Sequence, residues 1–266
     1  MANKTWFNTF KHSIDLESIP KKFPYPFDYE PDALGRLAAL ELQAHLMEQT
    51  EWDHNFGLIE GKEGEIIGKM FGVLVVKTKE NEIGYLASYS GKLAGGYHQN
   101  KFVPPVFDGL EDGSFLNVGM SDLTLINLEI KELEDQNQET NNTRIYELKQ
   151  TRKQNSKELQ EKIFEQYQFL NEAGEVKSLQ KIFEEVLGSK PPSGAGECAA
   201  PRLLQYAFQQ KMQPLTIAEF WWGLSPKSDF WKHKHFYPAC REKCGPILMH
   251  MLSLPNLPPH NSHAQH

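Results

Sequence analysis

The charge-rich stretch 129–165 constrains the fold of this chain more than any other feature of its sequence. Sixteen of its 37 residues are Asp, Glu, Lys or Arg, with both signs mixed. The apolar residues that lead into it follow the 3-4-3 spacing of a heptad: Leu123, Ile126, Ile130 and Leu133. Because such helices bury only one narrow face, we predict an inserted, protruding helical hairpin at 121–170, broken near 140–143.

Three segments outside this hairpin have the pattern of β-strands. The continuously apolar run 73–76 is typical of a strand that is covered on both faces. A polar turn at 79–84 joins it to a second strand at 85–89, and a third strand is predicted at 214–222. These strands predict a small mixed sheet.

Helices are predicted to pack against that sheet. One begins near Pro31, a second covers 198–211, and a last one covers 238–252. We therefore expect an α+β or α/β fold in which residues 31–120 and 171–252 form one globular domain.

The two ends of the chain have different compositions from the domain. Residues 1–30 are rich in proline and aromatic residues, which predicts an extended arm packed on the domain by its rings. Residues 253–266 are polar and contain two consecutive prolines, which predicts a disordered tail.

Charge and hydropathy exclude several classes of protein. The net charge of −7 argues against a broad basic surface for nucleic acid, and no apolar run is long enough to span a membrane. The first residues lack the pattern of a secretory signal, and the cysteine count is three. We expect a cytoplasmic protein whose cysteines are reduced or bind a metal.

All three cysteines lie in the last third of the chain, at the predicted starts of two helices. Cys240 and Cys244 are four residues apart and share one helical face, while Cys198 begins the other helix. Helix N-termini stabilise thiolates, and a catalytic zinc ion has three protein ligands and one open position. The candidate cofactor is therefore zinc, and the candidate ligands are Cys198, Cys240, Cys244 and His233. The alternative is that three small apolar side chains are buried in a core.

Two further residues are candidates for proton transfer at this site. Glu197 adjoins Cys198 and is placed to accept a proton from metal-bound water. His235 precedes Cys240 by five residues and is a candidate ligand or proton carrier.

Basic and aromatic residues alternate just before Cys240. Lys232 and Lys234 follow Trp231, and Arg241 follows Cys240. Aromatic rings among cationic side chains suit stacking on bases and contact with phosphates, so these four residues are the candidate nucleic-acid-binding residues. The alternative is an aromatic core beside a solvated loop.

The order of hairpin, helix, Cys-started helix, strand and Cys-started helix resembles the zinc-dependent nucleoside and nucleobase deaminases. Their motif is H-x-E or C-x-E followed by P-C-x-x-C, and the Glu carries the proton. This chain has Ala200 where that Glu is expected. One extra residue separates Cys240 from Cys244, and another separates Pro238 from Cys240. The resemblance implies deaminase-like layering of sheet and helices.

Longer motifs resemble the region that precedes the catalytic domain in bacterial pseudouridine synthases of the RluA type. They are PPSGAGECAAPRLLQYAF, AEFWWG and FYPACREKCGPILMHML, with GKMFGVLVV, GYLASYSGKLAGG and FVPPVFD upstream. The resemblance covers most of residues 60–252 and implies a role in RNA modification or RNA binding. The catalytic Arg-Leu-Asp motif of that family does not occur in this sequence, so we expect no synthase activity from this chain.

Three hypotheses for the function follow. The first is a stand-alone relative of that accessory region, whose partner is RNA or a separate synthase chain. The second is a zinc-dependent hydrolytic enzyme of deaminase-like architecture. The third is a structural or interaction protein, for which the hairpin at 121–170 offers a homodimer surface.

Overall fold

The computed structural model describes residues 6–27, 30–109, 114–136 and 138–255. The chain divides into a sheet unit, Met1–Val106 with Phe169–His266, and a hairpin unit, Phe107–Gln168. Most of the predicted tail 253–266 lies outside the described residues.

Seven strands and six α-helices make up these units in the described residues. The strands are β1 (Asn8–Thr9), β2 (Lys69–Lys77), β3 (Ile83–Tyr89), β4 (Gln168–Leu170), β5 (Val176–Ser178), β6 (Gln213–Trp222) and β7 (Phe236–Tyr237). The helices are α1 (Ala33–Glu48), α2 (Phe115–Asp135), α3 (Asn142–Gln166), α4 (Leu179–Leu187), α5 (Ala199–Gln209) and α6 (Gly245–Met251). Among the described residues, none of the helices is both long enough and apolar enough to cross a membrane.

The centre of the sheet unit is a five-stranded sheet with the order β1-β3-β2-β6-β7. All pairings between these strands are antiparallel, and β4 and β5 form a separate two-stranded sheet. The expected small sheet with packed helices is confirmed, and its antiparallel pairing identifies the class as α+β.

Helix α1 covers one face of the five-stranded sheet. Asp32 caps the helix by accepting the Gly35 N–H at 2.8 Å, and its other oxygen accepts the Thr216 hydroxyl at 2.7 Å. The alternate residues Val73 and Val75 of β2 belong to the core cluster beneath this helix. The cap therefore fixes the start of α1 to strand β6.

Helix α5 packs against the opposite face of the same sheet. A Cβ atom added at Gly72 would lie 3.1 Å from the Cβ of Ala199 and 3.1 Å from Cδ1 of Leu203. Gly72 thus allows the first turn of α5 to approach β2 closely. The buried Arg202 side chain adds hydrogen bonds to the carbonyls of Tyr89 and Val103, at 2.7 and 3.2 Å.

The hairpin unit consists of α2 and α3. Its interior contains Ile130, Leu148, Leu159 and Phe164. Ion pairs between the two helices join Arg144 to Glu129 and Lys149 to Glu134. The structure begins α2 at Phe115, before the predicted 121, because Ser114 caps it by accepting the Asn117 N–H.

The N-terminal arm is attached to the sheet unit through short contacts. Strand β1 pairs with β3, the Trp6 and Tyr206 rings meet edge to face, and Phe27 is buried. Residues 1–5 and 28–29 of the predicted arm lie outside the described residues.

Candidate functional site

The loops before α5 and α6 bring the three cysteines to one place. Cys198 is the N-cap residue of α5, and Cys244 is the N-cap residue of α6. Cys240 lies one turn earlier, where its carbonyl accepts the Cys244 N–H at 3.2 Å. The last helix is therefore shorter than the predicted 238–252. It begins at Gly245 because the missing N–H of Pro246 is tolerated only in a first turn.

The three thiols interact directly with one another. The Cys244 side chain is 1% exposed and hydrogen-bonds to the side chains of Cys198 and Cys240. The sulfur of Cys240 also accepts the backbone N–H of Lys243 at 3.4 Å. Cys198 and Cys240 are half-buried, so solvent reaches the cluster from their side.

These contacts separate the acidities of two of the thiols. The hydrogen bond from Cys244, assisted by backbone N–H groups, lowers the pKa of Cys240 to about 6. The hydrogen bonds with Cys198 and Cys240, together with burial, raise the pKa of the Cys244 thiol well above its ordinary value. Near neutral pH the cluster therefore favours a thiolate at Cys240 and a proton at Cys244.

A carboxylic acid on β6 lies against this cluster. Glu219 is 7% exposed, and burial, together with the charge of Cys240, raises its pKa to about 8. The backbone N–H of Ala200, in the first turn of α5, donates to the carboxyl group and opposes that rise. At neutral pH Glu219 is thus mainly a neutral acid, held between the sheet and the helix.

The sheet register explains why Glu219 points toward the cysteines. Glu219 pairs with Gly72 of β2 on one side and with Tyr237 of β7 on the other. Directly opposed residues of antiparallel strands share a face, so all three lie on the face that α5 covers. A Cβ atom at Gly72 would lie 3.4 Å from Cγ of Glu219, so the glycine leaves room for the acid.

The cluster fits zinc by the chemistry of its donors. Cys244 hydrogen-bonds to both other thiols, and Cys240 already favours the thiolate form that binds metal. Among the described residues, however, no group of three or more His, Cys, Asp or Glu side chains is arranged so that it could hold a metal ion. The donors that would hold zinc are Cys198, Cys240 and Cys244.

The predicted site residues outside the cysteines are placed elsewhere. The carboxylate of Glu197 accepts from the Tyr97 hydroxyl at 3.5 Å. Desolvation lowers the pKa of the half-buried Lys69, and the charge of Glu197 opposes part of that lowering. Nδ1 of His233 accepts the Gly223 N–H at 3.0 Å, and its ring packs on Trp222 in the core under α1. The structure therefore does not bring His233 to the cysteines, and His235 is exposed.

The candidate residues Trp231, Lys232 and Lys234 lie on a loop that carries a cluster of aromatic rings. Trp231 stacks on Trp221 at 5.0 Å and contacts Tyr237 at 4.7 Å. The Tyr237 hydroxyl accepts the N–H of Lys232 and donates to the carbonyl of Phe230. Lys232 and Lys234 are exposed on this fixed loop, and Arg241 is half-buried.

Sequence reasoning missed Glu219. The available signal was its position as the one charged residue within the apolar strand segment PLTIAEFWW. A carboxylate is rarely buried in a strand unless a partner or a function keeps it there.

Comparisons with known proteins were made for both the sequence and the fold. No protein-family model, no curated protein and no solved structure matches this chain. The chemistry of the site therefore rests on its own residues.

Proposed function

We propose that this chain is a zinc-dependent hydrolytic enzyme of deaminase-like architecture. The observation that carries the proposal is the meeting of three thiols with a buried, proton-bearing carboxyl group. Cys198, Cys240 and Cys244 supply the ligands, and Glu219 supplies the acid.

The number and type of ligands support a catalytic rather than a purely structural ion. Structural zinc sites have four protein ligands, whereas catalytic sites have three and leave one position open. Zinc held by these three cysteines would supply an activated water at neutral pH and would polarise the bond that is to be broken.

Glu219 has the properties required of the residue that moves the proton. In the metal-free chain, burial keeps its carboxyl neutral near pH 7, which is the form that can donate a proton to a leaving amino group. The Ala200 N–H orients the carboxyl group through a hydrogen bond. The first turn of α5 packs over the sheet at this point and shields the carboxyl group from bulk water. After donation the carboxylate can take a proton from an incoming water molecule.

The order of elements supports the same assignment. The hairpin β2–β3, helix α5 with its cysteine cap, strand β6 and helix α6 with its cysteine cap follow the order in the deaminase resemblance. The proton-carrying residue departs from that motif. It comes from β6, at Glu219, whereas position 200 on α5 is alanine.

Zinc content tests this proposal most simply. Protein purified without an affinity tag, and ending at residue 255 so that the tail histidines are absent, should contain about one zinc ion per chain. Cys240→Ser and Cys244→Ser should each lose most of it, because one of three ligands is removed.

Two histidine variants are the matched controls. His233→Asn and His235→Asn should retain the metal, since the structure brings neither side chain into the thiol cluster. A zinc-loaded protein that releases no ammonia from any nucleoside or single-stranded oligonucleotide would contradict the hydrolytic function. Equal zinc content in the cysteine and histidine variants would contradict the site.

RNA binding is the second candidate function, and the fixed loop at 230–237 favours it. The aromatic cluster holds Lys232 and Lys234 exposed on the same edge of the sheet as Tyr237, which faces the same side as Glu219. Lys232→Gln with Lys234→Gln should reduce the slope of log affinity against log salt for single-stranded RNA by about one to two. An unchanged slope would remove this candidate.

A further inference from the structure

A cavity lies at the C-terminal end of α5, the end opposite the cysteines. Its volume is about 840 Å³, which is within the range of small-molecule sites. The 11 residues of α5 separate it from Cys198 by roughly 16 Å along the helix axis. This cavity is therefore distinct from the site of the thiols and Glu219.

Large apolar side chains from four separate segments contribute to its wall. They are Phe23, Leu170, Phe208, Met212, Leu215 and Leu252. Phe23 and Phe208 are each half-buried, so the apolar surface remains open to a ligand. A ligand that fits this wall needs an apolar body.

Three lysines line the same cavity. Lys21 and Lys22 come from the arm, and Lys211 follows α5. All three are exposed, and in the described part of the chain none of them forms an ion pair. Glu172 is the one acidic residue among the lining residues. The charge at the rim is thus complementary to an anion.

The backbone conformation of Lys211 independently supports a binding role for this cavity. Its φ is +56°, a left-handed conformation that favours glycine at the end of a helix. The Met212 N–H donates to the Ala207 carbonyl at 2.8 Å, as expected when a left-handed residue ends a helix. A lysine here accepts backbone strain while placing a cation at the cavity, and strained residues of this kind concentrate at binding sites.

We propose that this cavity binds a small amphipathic anion, with an acyl chain against the aromatic and aliphatic wall and a carboxylate or phosphate head among the three lysines. The lysines select the head by charge. The wall formed by Phe23, Phe208 and Met212 holds the chain.

Titration calorimetry with three matched ligands tests the proposal. Dodecanoate and dodecyl phosphate, below their micelle concentrations, should both bind, and dodecanol should bind at least tenfold more weakly. The triple variant Lys21→Gln, Lys22→Gln, Lys211→Gln should lose tenfold or more in affinity for both anions and leave dodecanol unchanged. Lys227→Gln, at an exposed residue beyond the opposite end of β6, is the control.

Lys211→Gly separates binding from folding because its two effects have opposite signs. Glycine relieves the left-handed strain, so the urea midpoint should rise. Loss of the cation should at the same time weaken dodecanoate binding by about threefold. Lower stability together with weaker binding would show only damage to the fold and would overturn the assignment of Lys211.

Three other outcomes would also overturn the proposal. Equal binding of dodecanol and dodecanoate would show an apolar cavity without selection by charge. Absence of binding by both anions would show no such site. Displacement of bound dodecanoate by a single-stranded oligonucleotide, lost in the triple lysine variant, would assign the lysines to nucleic acid.

Discussion

Glu219 connects the fold of this protein to its proposed chemistry. An ordinary glutamate has a pKa of 4.5, whereas burial raises that of Glu219 to about 8 in the folded, metal-free chain. The folded state therefore binds a proton more tightly than the unfolded state between these two values. The stability that this proton contributes is fully present below about pH 4.5 and is lost as the pH rises through about 8.

The variant Glu219→Gln removes this titration while keeping an oxygen that can accept the Ala200 N–H. In chelator-treated protein, the free energy of unfolding of the wild type should fall relative to the variant by a few kcal/mol from pH 5 to pH 8.5. Urea denaturation at a series of pH values measures the difference between the two curves. Glu80→Gln, at an exposed turn residue, should run parallel to the wild type, and parallel curves for Glu219→Gln would contradict the buried acid.

The close approach of α5 to the sheet at Gly72 leads to a separate prediction. Gly72→Ala places a methyl group 3.1 Å from Ala199 and Leu203, so α5 must shift or the protein must accept overpacking. The free energy of unfolding should fall by about 1–3 kcal/mol. Gly96→Ala is the matched control, because its nearest neighbours would lie 4.0 Å away. Equal stability of the two variants would show that the first turn of α5 is not tightly packed.

The sequence predicted the cysteines of the site but not its acid. Cys198, Cys240 and Cys244 could be grouped because each lies near the start of a predicted helix. Glu219 could not, since a strand pattern does not reveal which face meets which helix. That information comes from the register with Gly72 and Tyr237, which forms only when the strands pair.

At the scale of elements, periodic segments were predictable and short ones were not. The apolar run in β2 and the spacing in α1 and α2 identify these elements because each repeats over several turns or residues. The start of α6 depends on Pro246 and on a local turn at Cys240, and the spacing of apolar residues predicts neither. Strand β7 has two residues and depends on its pairing with β6.

The α2–α3 hairpin should be dispensable for folding of the sheet unit. The residues of the sheet unit's core cluster all come from outside 107–168. Replacement of 115–166 by a short Gly/Ser linker should therefore leave a cooperative urea transition, because loop-closure entropy changes only slowly with length. Circular dichroism during urea denaturation, with the slope of the transition, measures this cooperativity. Insoluble or non-cooperative protein would show that the hairpin contributes to the fold or to an obligate dimer.

For the whole molecule, helix α5 links two proposed sites. Its first turn contacts Glu219 and carries the Cys198 cap, and its last turn borders the cavity with three lysines. Because the antiparallel sheet supports both ends, the two sites should be separable by mutation. The triple lysine variant should keep its zinc, and Cys240→Ser should keep its affinity for dodecanoate.

X-ray absorption at the zinc edge, on tag-free protein ending at residue 255, tests the central claim most directly. The account predicts one zinc ion per chain with three sulfur neighbours at about 2.3 Å and one oxygen or nitrogen neighbour at about 2.0 Å. Cys244→Ser should reduce the number of sulfur neighbours from three to two or release the metal itself. Protein that binds no zinc, or a shell without sulfur, would contradict the account.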